Sequence, residues 1–234
     1  MIAIYKRELN SYFNSMIGYV FVAVLVFFTG IYFMAYNVYG GLPQFSYTLY
    51  SLMTILMFAM PLLTMKSMAE ERRSRTDQLL LTSPVTLTGV VLGKFFAMAT
   101  VFLIPLALCA FCPLIIAMNG EARLLSDYAC LLAFFLMGCV FIAIGMFLSS
   151  LTESQIIAAV STFAVLLVLF LWDDLISFLP SALSSLLSAF SFTQTFQNFA
   201  EYSMFDLGGL ALYVSLSALF LFLTVQTLQK RRWA

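Results

Sequence analysis

The chain has 234 residues, 63% of them hydrophobic and 9% charged, where a soluble domain carries about 45–50% and about 25%; this is the composition of a membrane protein. Eleven Lys and Arg balance eleven Asp and Glu, so no basic excess exists to hold a nucleic-acid backbone, which argues against nucleic-acid binding. Histidine is absent, and with it go Ser-His-Asp and Cys-His nucleophile pairs, the His-Glu-x-x-His zinc site and His-ligated haem.

In chain order, Ile2, Tyr5, Leu9 and Phe13 share one helical face and Lys6, Arg7, Asn10 and Asn14 the other, the pattern of an amphipathic helix lying along a membrane interface. Six uncharged apolar stretches then follow: Met16 to Tyr36, Tyr47 to Met65, Phe95 to Met118, Tyr128 to Thr152, Ser154 to Trp172 and Leu207 to Gln229. At about 1.5 Å per residue, each is long enough to cross about 30 Å of hydrocarbon. No small-residue cleavage site follows the first, which reads as a retained anchor. The prediction is an all-α polytopic protein with six transmembrane helices in one domain over residues 1–234, without an appended soluble module.

Leu175 to Ala200 is uncharged too, but its pattern is not that of a seventh span. Leu179, Leu183, Leu186, Leu187 and Phe190 recur at helical spacing, while Ser177, Ser181, Ser184, Ser185 and Ser188 fill the opposite face and Thr193, Gln194, Gln197 and Asn198 follow. This predicts an amphipathic helix on the outer face. Cys109, Cys112, Cys130 and Cys139 all lie in apolar runs; despite the C-x-x-C spacing of the first two, they read as packing residues rather than a metal or redox site.

Lys and Arg are retained on the cytoplasmic side of short loops. Lys6 and Arg7 precede span one, Lys66, Arg72, Arg73, Arg75 and Lys94 lie between spans two and three, and Lys230, Arg231 and Arg232 follow span six; only Arg123 falls on the other side. Both termini are therefore predicted to be cytoplasmic. The six stretches hold no Asp, Glu, Lys or Arg, with Lys94 read as a charge at the cytoplasmic foot of span three and Asp127, Asp173, Asp174 and Asp206 as charges at outer ends. Ion- and proton-coupled carriers place such groups on their pathway, so energy for uphill movement has to arrive from another chain. No phosphate-cradling loop supplies it here. Gly89 and Gly93 are separated by three residues rather than four, and Lys94 is followed by Phe95 instead of Ser or Thr.

The most informative polar stretch is Glu70 to Lys94, in which Glu71-Arg72-Arg73-Ser74-Arg75-Thr76-Asp77-Gln78 leads into Leu79-Leu80-Leu81 and Thr82-Ser83-Pro84-Val85. Three leucines after a charged turn, each worth about 1.5–3 kcal/mol when buried, fit docking into another protein, back onto the bundle or into the interface. Here the sequence resembles the permease subunits of type 2 ABC exporters, whose corresponding loop runs from glutamate and basic residues through threonine to a double leucine and Ser-Pro-Val. Tyr5 to Phe13, Ile17-Gly18-Tyr19-Val20, Gly93-Lys94 and the closing Arg231-Arg232-Trp233 are similar to the branch that includes gliding-motility and nitrous-oxide-reductase-maturation permeases. Arg75 stands where that family often has glycine and Met16 where it often has proline; an arginine there makes the loop more basic and less able to turn at positive φ.

The resemblance implies an interfacial connecting helix from Ile2 to Phe13, a coupling helix from about Arg72 to Leu81 that seats on an ATP-binding cassette ATPase, and two short outer helices between spans five and six. Glu71, Arg72, Arg73, Arg75, Thr76, Asp77, Leu79, Leu80 and Leu81 are the coupling residues. It implies no cofactor in this chain, with ATP and magnesium in the partner, and a second permease chain in a homodimer or heterodimer. The expected role is export of an apolar or amphipathic substrate. The alternative is a mechanotransmitting subunit that acts on an accessory protein with an extracytoplasmic domain and moves no substrate; an intramembrane enzyme fits less well, since the spans hold no residue to activate a nucleophile.

Overall fold

The computed structural model describes residues 1–75, 86–119, 123–177, 191–202 and 207–233. Every described element is a helix. In chain order they are α1 (Ile2–Asn14), α2 (Met16–Tyr32), extended by a π-helical turn over Phe33–Tyr39, α3 (Ser46–Thr64), α4 (Lys66–Arg73), α5 (Leu87–Cys109), α6 (Cys112–Asn119), α7 (Leu124–Leu151), α8 (Gln155–Phe170), α9 (Trp172–Ser177), α10 (Phe192–Tyr202) and α11 (Leu207–Trp233).

Among the described residues, five helical stretches are long and apolar enough to cross a membrane: Met16–Tyr39, Ser46–Arg73, Leu87–Met118, Leu124–Leu151 and Gly208–Arg231. The expected fifth span, Ser154 to Trp172, corresponds to α8, which has 16 residues and rises about 24 Å. Leu171 interrupts the helix there, and α9 continues beyond it. The expected third span begins at Leu87 instead of Phe95, so Lys94 lies inside α5. Of the outer amphipathic segment, residues 178–190 lie outside the described residues. α10 packs on α7, with Phe196 edge-on to Phe134.

The core is organised around α7, which touches α3, α5, α8, α10 and α11. Its faces are apolar nearly all round, as a helix surrounded by other helices requires. Gly145 sets one of these approaches: a Cβ there would run into the side chain of Thr64 on α3, so glycine lets the two backbones close up. At the opposite end of α7, the buried Asp127 accepts a hydrogen bond from the Phe45 N–H at the head of α3, at 3.0 Å. It satisfies one of the free amides of a helix start. The expectation that Asp127 is a solvated interfacial charge is thereby corrected. The four cysteines are free thiols, and Cys109 lies 3.5 Å from the Thr29 hydroxyl inside the bundle.

One end of the bundle collects the cationic contacts. Arg7 reaches Glu71, Arg72 reaches Glu153 and the Leu151 carbonyl, and Arg231 donates to the Ser150 carbonyl. The start of α1 and the end of α11 therefore share one face of the molecule. Arg123, before α7, stands at the other.

Candidate functional site

At that end, α1, α4 and α5 meet around a four-charge ring. Lys94 is 2% exposed, and its ammonium group lies 3.1 Å from Glu8 Oε1, 2.9 Å from Glu71 Oε1 and 2.7 Å from the Ser67 carbonyl. Three N–H donors thus meet three acceptors. Arg7 closes the ring, its Nη2 lying 3.0 Å from the same oxygen of Glu8 and 2.6 Å from the same oxygen of Glu71. Burial acts to lower the Arg7 pKa, but hydrogen bonding and charge from Glu8 and Glu71 together hold it above its ordinary value. Signs alternate around the ring, so the buried Lys94 ammonium is neutralised where it stands, and Arg7 closes the ring from the exposed side.

Lys94 was expected to be an interfacial charge at the foot of span three, and the structure corrects this. A lone Lys inside the otherwise uncharged Leu87–Cys109 requires a counter-ion; that signal was present in the sequence. Its partners were not evident, because they come from segments 86 and 23 residues away.

Of the residues expected on the apolar face of α1, Tyr5, Leu9 and Phe13 lie toward the bundle and Ile2 does not. Ile2 is 74% exposed, whereas Tyr5, Glu8, Leu9 and Tyr12 turn inward and Phe13 is half-buried against the Tyr19 ring. Tyr5 shares a hydrogen bond with Thr100 on α5 at 3.1 Å, and Tyr12 donates to the Leu63 carbonyl at 3.2 Å. Burial, then the charges of Glu8, Glu70 and Glu71, raise the Tyr12 pKa well above the usual tyrosine range, so it is a neutral donor. Glu8 and Tyr12 were missed because polar atoms on an inward face look like solvent contacts until their partners are known.

α4 extends from the end of α3, and its first turn is capped by another helix. The Ser149 hydroxyl of α7 accepts from the Met68 and Ala69 N–H groups at 3.2 and 3.1 Å and lies 3.2 Å from the Met65 carbonyl. Orphan amides at a helix start are satisfied in this way. Arg72 adds two ties to the end of α7, reaching the Leu151 carbonyl at 2.8 Å and Glu153 at 3.2 Å. Arg73 ends the helix, and Arg75 turns the chain at φ 56°. Arg75 was expected to be less able than glycine to turn at positive φ, and the structure corrects this: the arginine itself makes the left-handed turn. Thr76, Asp77, Leu79, Leu80 and Leu81 lie outside the described residues; of the expected coupling set, the structure brings Glu71 into the ring, sets Arg72 on α7 and leaves Arg73 and Arg75 on the surface.

Among the described residues no group of His, Cys, Asp or Glu could hold a metal ion. The assembled groups are paired acids and bases that tie α1, α4 and α5 together. α4, which leads into the loop, is fixed to α1 and α5 through the ring and to α7 through Ser149 and Arg72. α4 is thus tied to three other helices.

A search of curated proteins finds no match to the chain. The family model described as ABC-2 family transporter protein matches residues 31–226, which takes in the bundle from the end of α2 into α11. A polytopic, all-helical chain matched over most of its length belongs to the ABC-2 family of transporter proteins, as a membrane permease subunit of the kind that works with an ATP-binding cassette ATPase.

Proposed function

We propose that this chain is the permease of an exporter driven by a separate cassette ATPase, in the inner (plasma) membrane, with six crossings and both termini cytoplasmic. The ring-bearing end is the cytoplasmic one, because nearly all of the Lys and Arg lie there. The shared face of α1 and the end of α11 supports an even number of crossings, with α8 as the short fifth span of six. The loop after α4 docks on the ATPase: Glu71, Arg72, Arg73, Arg75 and Asp77 steer it, and Leu79, Leu80 and Leu81 supply the buried contact. ATP and magnesium belong to that partner. Two permease chains pair, and the apolar side chains of spans two and five suit an apolar or amphipathic cargo. The N- and C-terminal strings favour the gliding-motility and nitrous-oxide-reductase-maturation branch.

The observation that carries this reading is the Lys94–Glu8–Glu71–Arg7 ring, because it fixes α4 to the transmembrane helices just before the loop. The test is co-purification with the partner cassette ATPase, comparing Leu79→Asp, Leu80→Asp, Leu81→Asp and Arg75→Glu. A buried unpaired carboxylate costs about 1–3 kcal/mol or more, so at least one leucine variant loses complex recovery about tenfold. Arg75→Glu loses less, and its effect fades in high salt. Normal assembly and hydrolysis in all three leucine variants would remove the loop from the docking contact.

A further inference from the structure

Two cavities meet at the junctions of α1 with α2 and of α3 with α4. The first is polar, about 770 Å³, and lined by Arg7, Asn10, Asn14, Lys66, Glu70 and Glu71 among others. The second is an apolar groove of about 530 Å³ between α2 and α3, lined among others by Met16, Val20, Val24, Ile55, Phe58 and Leu62. Ser15 lines the polar cavity and Met16 the groove; Met65 lines the groove and Lys66 the polar cavity. The change from polar to apolar therefore falls at the same level on both helix pairs, where a membrane interface would lie.

Each volume is of ligand-site size, and their chemistry is that of a head and a tail. From Met16 to Phe28 the groove runs along about 18 Å of helix, close to the depth of one leaflet of a hydrocarbon core of about 30 Å. The charged lining is balanced, with Arg7, Lys66 and Lys94 against Glu8, Glu70 and Glu71. Four of these six charges close on one another in the ring. The other two, Lys66 and Glu70, stand 3.9 Å apart and partly exposed, a loose pair that offers one cation and one anion beside the groove's mouth.

We propose that this composite site holds one zwitterionic glycerophospholipid with a primary ammonium headgroup: phosphate at Lys66, ammonium at Glu70, and one acyl chain along the α2–α3 groove. The loose pair offers one cation and one anion, which suits a zwitterion; an anionic headgroup would take Lys66 with its phosphate and leave the Glu70 carboxylate without a cation. A primary ammonium can donate hydrogen bonds to Glu70, which a quaternary one cannot. The site depends on the membrane setting alone, not on the ATPase reading.

The test uses the delipidated full chain in detergent and native mass spectrometry, with dioleoyl phosphatidylethanolamine, phosphatidylcholine and phosphatidylglycerol as probes. Phosphatidylethanolamine is retained in preference to the other two, and Lys66→Ala and Glu70→Gln each lower its retention about tenfold, the loss of one charged contact. Leu62→Trp, or Val20→Trp from the facing helix if the first does not fold, fills the groove and lowers retention with the headgroup residues intact. Lys6→Ala, outside both cavities, has no effect. Soluble glycerophosphoethanolamine fails to displace the lipid at equal concentration, because it lacks the tail. Equal retention of the three lipids, or unchanged retention in the variants, overturns the proposal. So does displacement by the soluble headgroup, and so does a groove variant that splits a dimer while leaving lipid bound, which would assign the groove to a second copy of the chain.

Discussion

Lys94 spends all its hydrogen-bonding capacity inside the protein, at 2% exposure against carboxylates that are 13% and 16% exposed. Truncating it leaves Glu8 and Glu71 facing each other with one cation between them. Removing one member of a buried ion pair costs about 3–5 kcal/mol, so Lys94→Ala is expected to lower the thermal midpoint in detergent sharply. Combining it with Glu71→Gln gives less than the sum of the two losses, the signature of a shared network; strict additivity would mean that the ring does not act as a unit. Arg75 is the converse case, a side chain held at φ 56° where a non-glycine residue is disfavoured by about 1–2 kcal/mol. Arg75→Gly should therefore keep or slightly raise the midpoint, while Arg75→Val, β-branched and intolerant of that region, lowers it. A fall in Arg75→Gly comparable to that of Arg75→Val would contradict the turn geometry.

At the scale of elements, α4 depends on a hydroxyl from another helix. No side chain of its own caps its first turn, and Ser149 accepts from two of its amides instead. Ser149→Ala strands those amides at about 1–3 kcal/mol. Hydrogen exchange at Met68 and Ala69 should then accelerate while exchange in the middle of α7 stays as it was; unchanged exchange at both amides would mean that water or another group caps α4. Helix identity was legible from apolar run length, because a chain in hydrocarbon has to satisfy its own backbone. Helix ends were less so: α5 was expected to start at Phe95 because Lys94 resembles a boundary, yet the buried acids carry the helix through it. On α1, Glu8 and Tyr12 were missed for the same reason, since they count as polar until Lys94 and the Leu63 carbonyl are in view. Ser149 gave no sequence signal, being one of the hydroxyls, with Ser150 and Thr152, that close an apolar run.

For the whole molecule, the concentration of Lys and Arg at one end was readable from the sequence, and contacts from Arg7, Arg72 and Arg231 converge on that end. A cysteine placed at Ser74 in a cysteine-free background is expected to resist an impermeant reagent in intact cells, while one placed at Arg123 reacts; the reverse pattern would invert the proposed topology. What the sequence could not give was the tertiary path from the loop to the spans, since it joins Arg7, Glu71 and Lys94 across three helices. That path is the central claim, and one measurement tests it most directly: the hydrolysis rate of the co-purified ATPase with wild-type permease, with the Glu71→Gln variant and alone. Glu71→Gln keeps the shape of the side chain but removes the charge that holds both Arg7 and Lys94. Movement entering at α4 should then no longer be transmitted, so the complex assembles as the wild type does while its hydrolysis rate reverts to that of the ATPase alone. An assembled Glu71→Gln complex that hydrolyses ATP at the wild-type, permease-dependent rate would contradict the claim that the ring transmits.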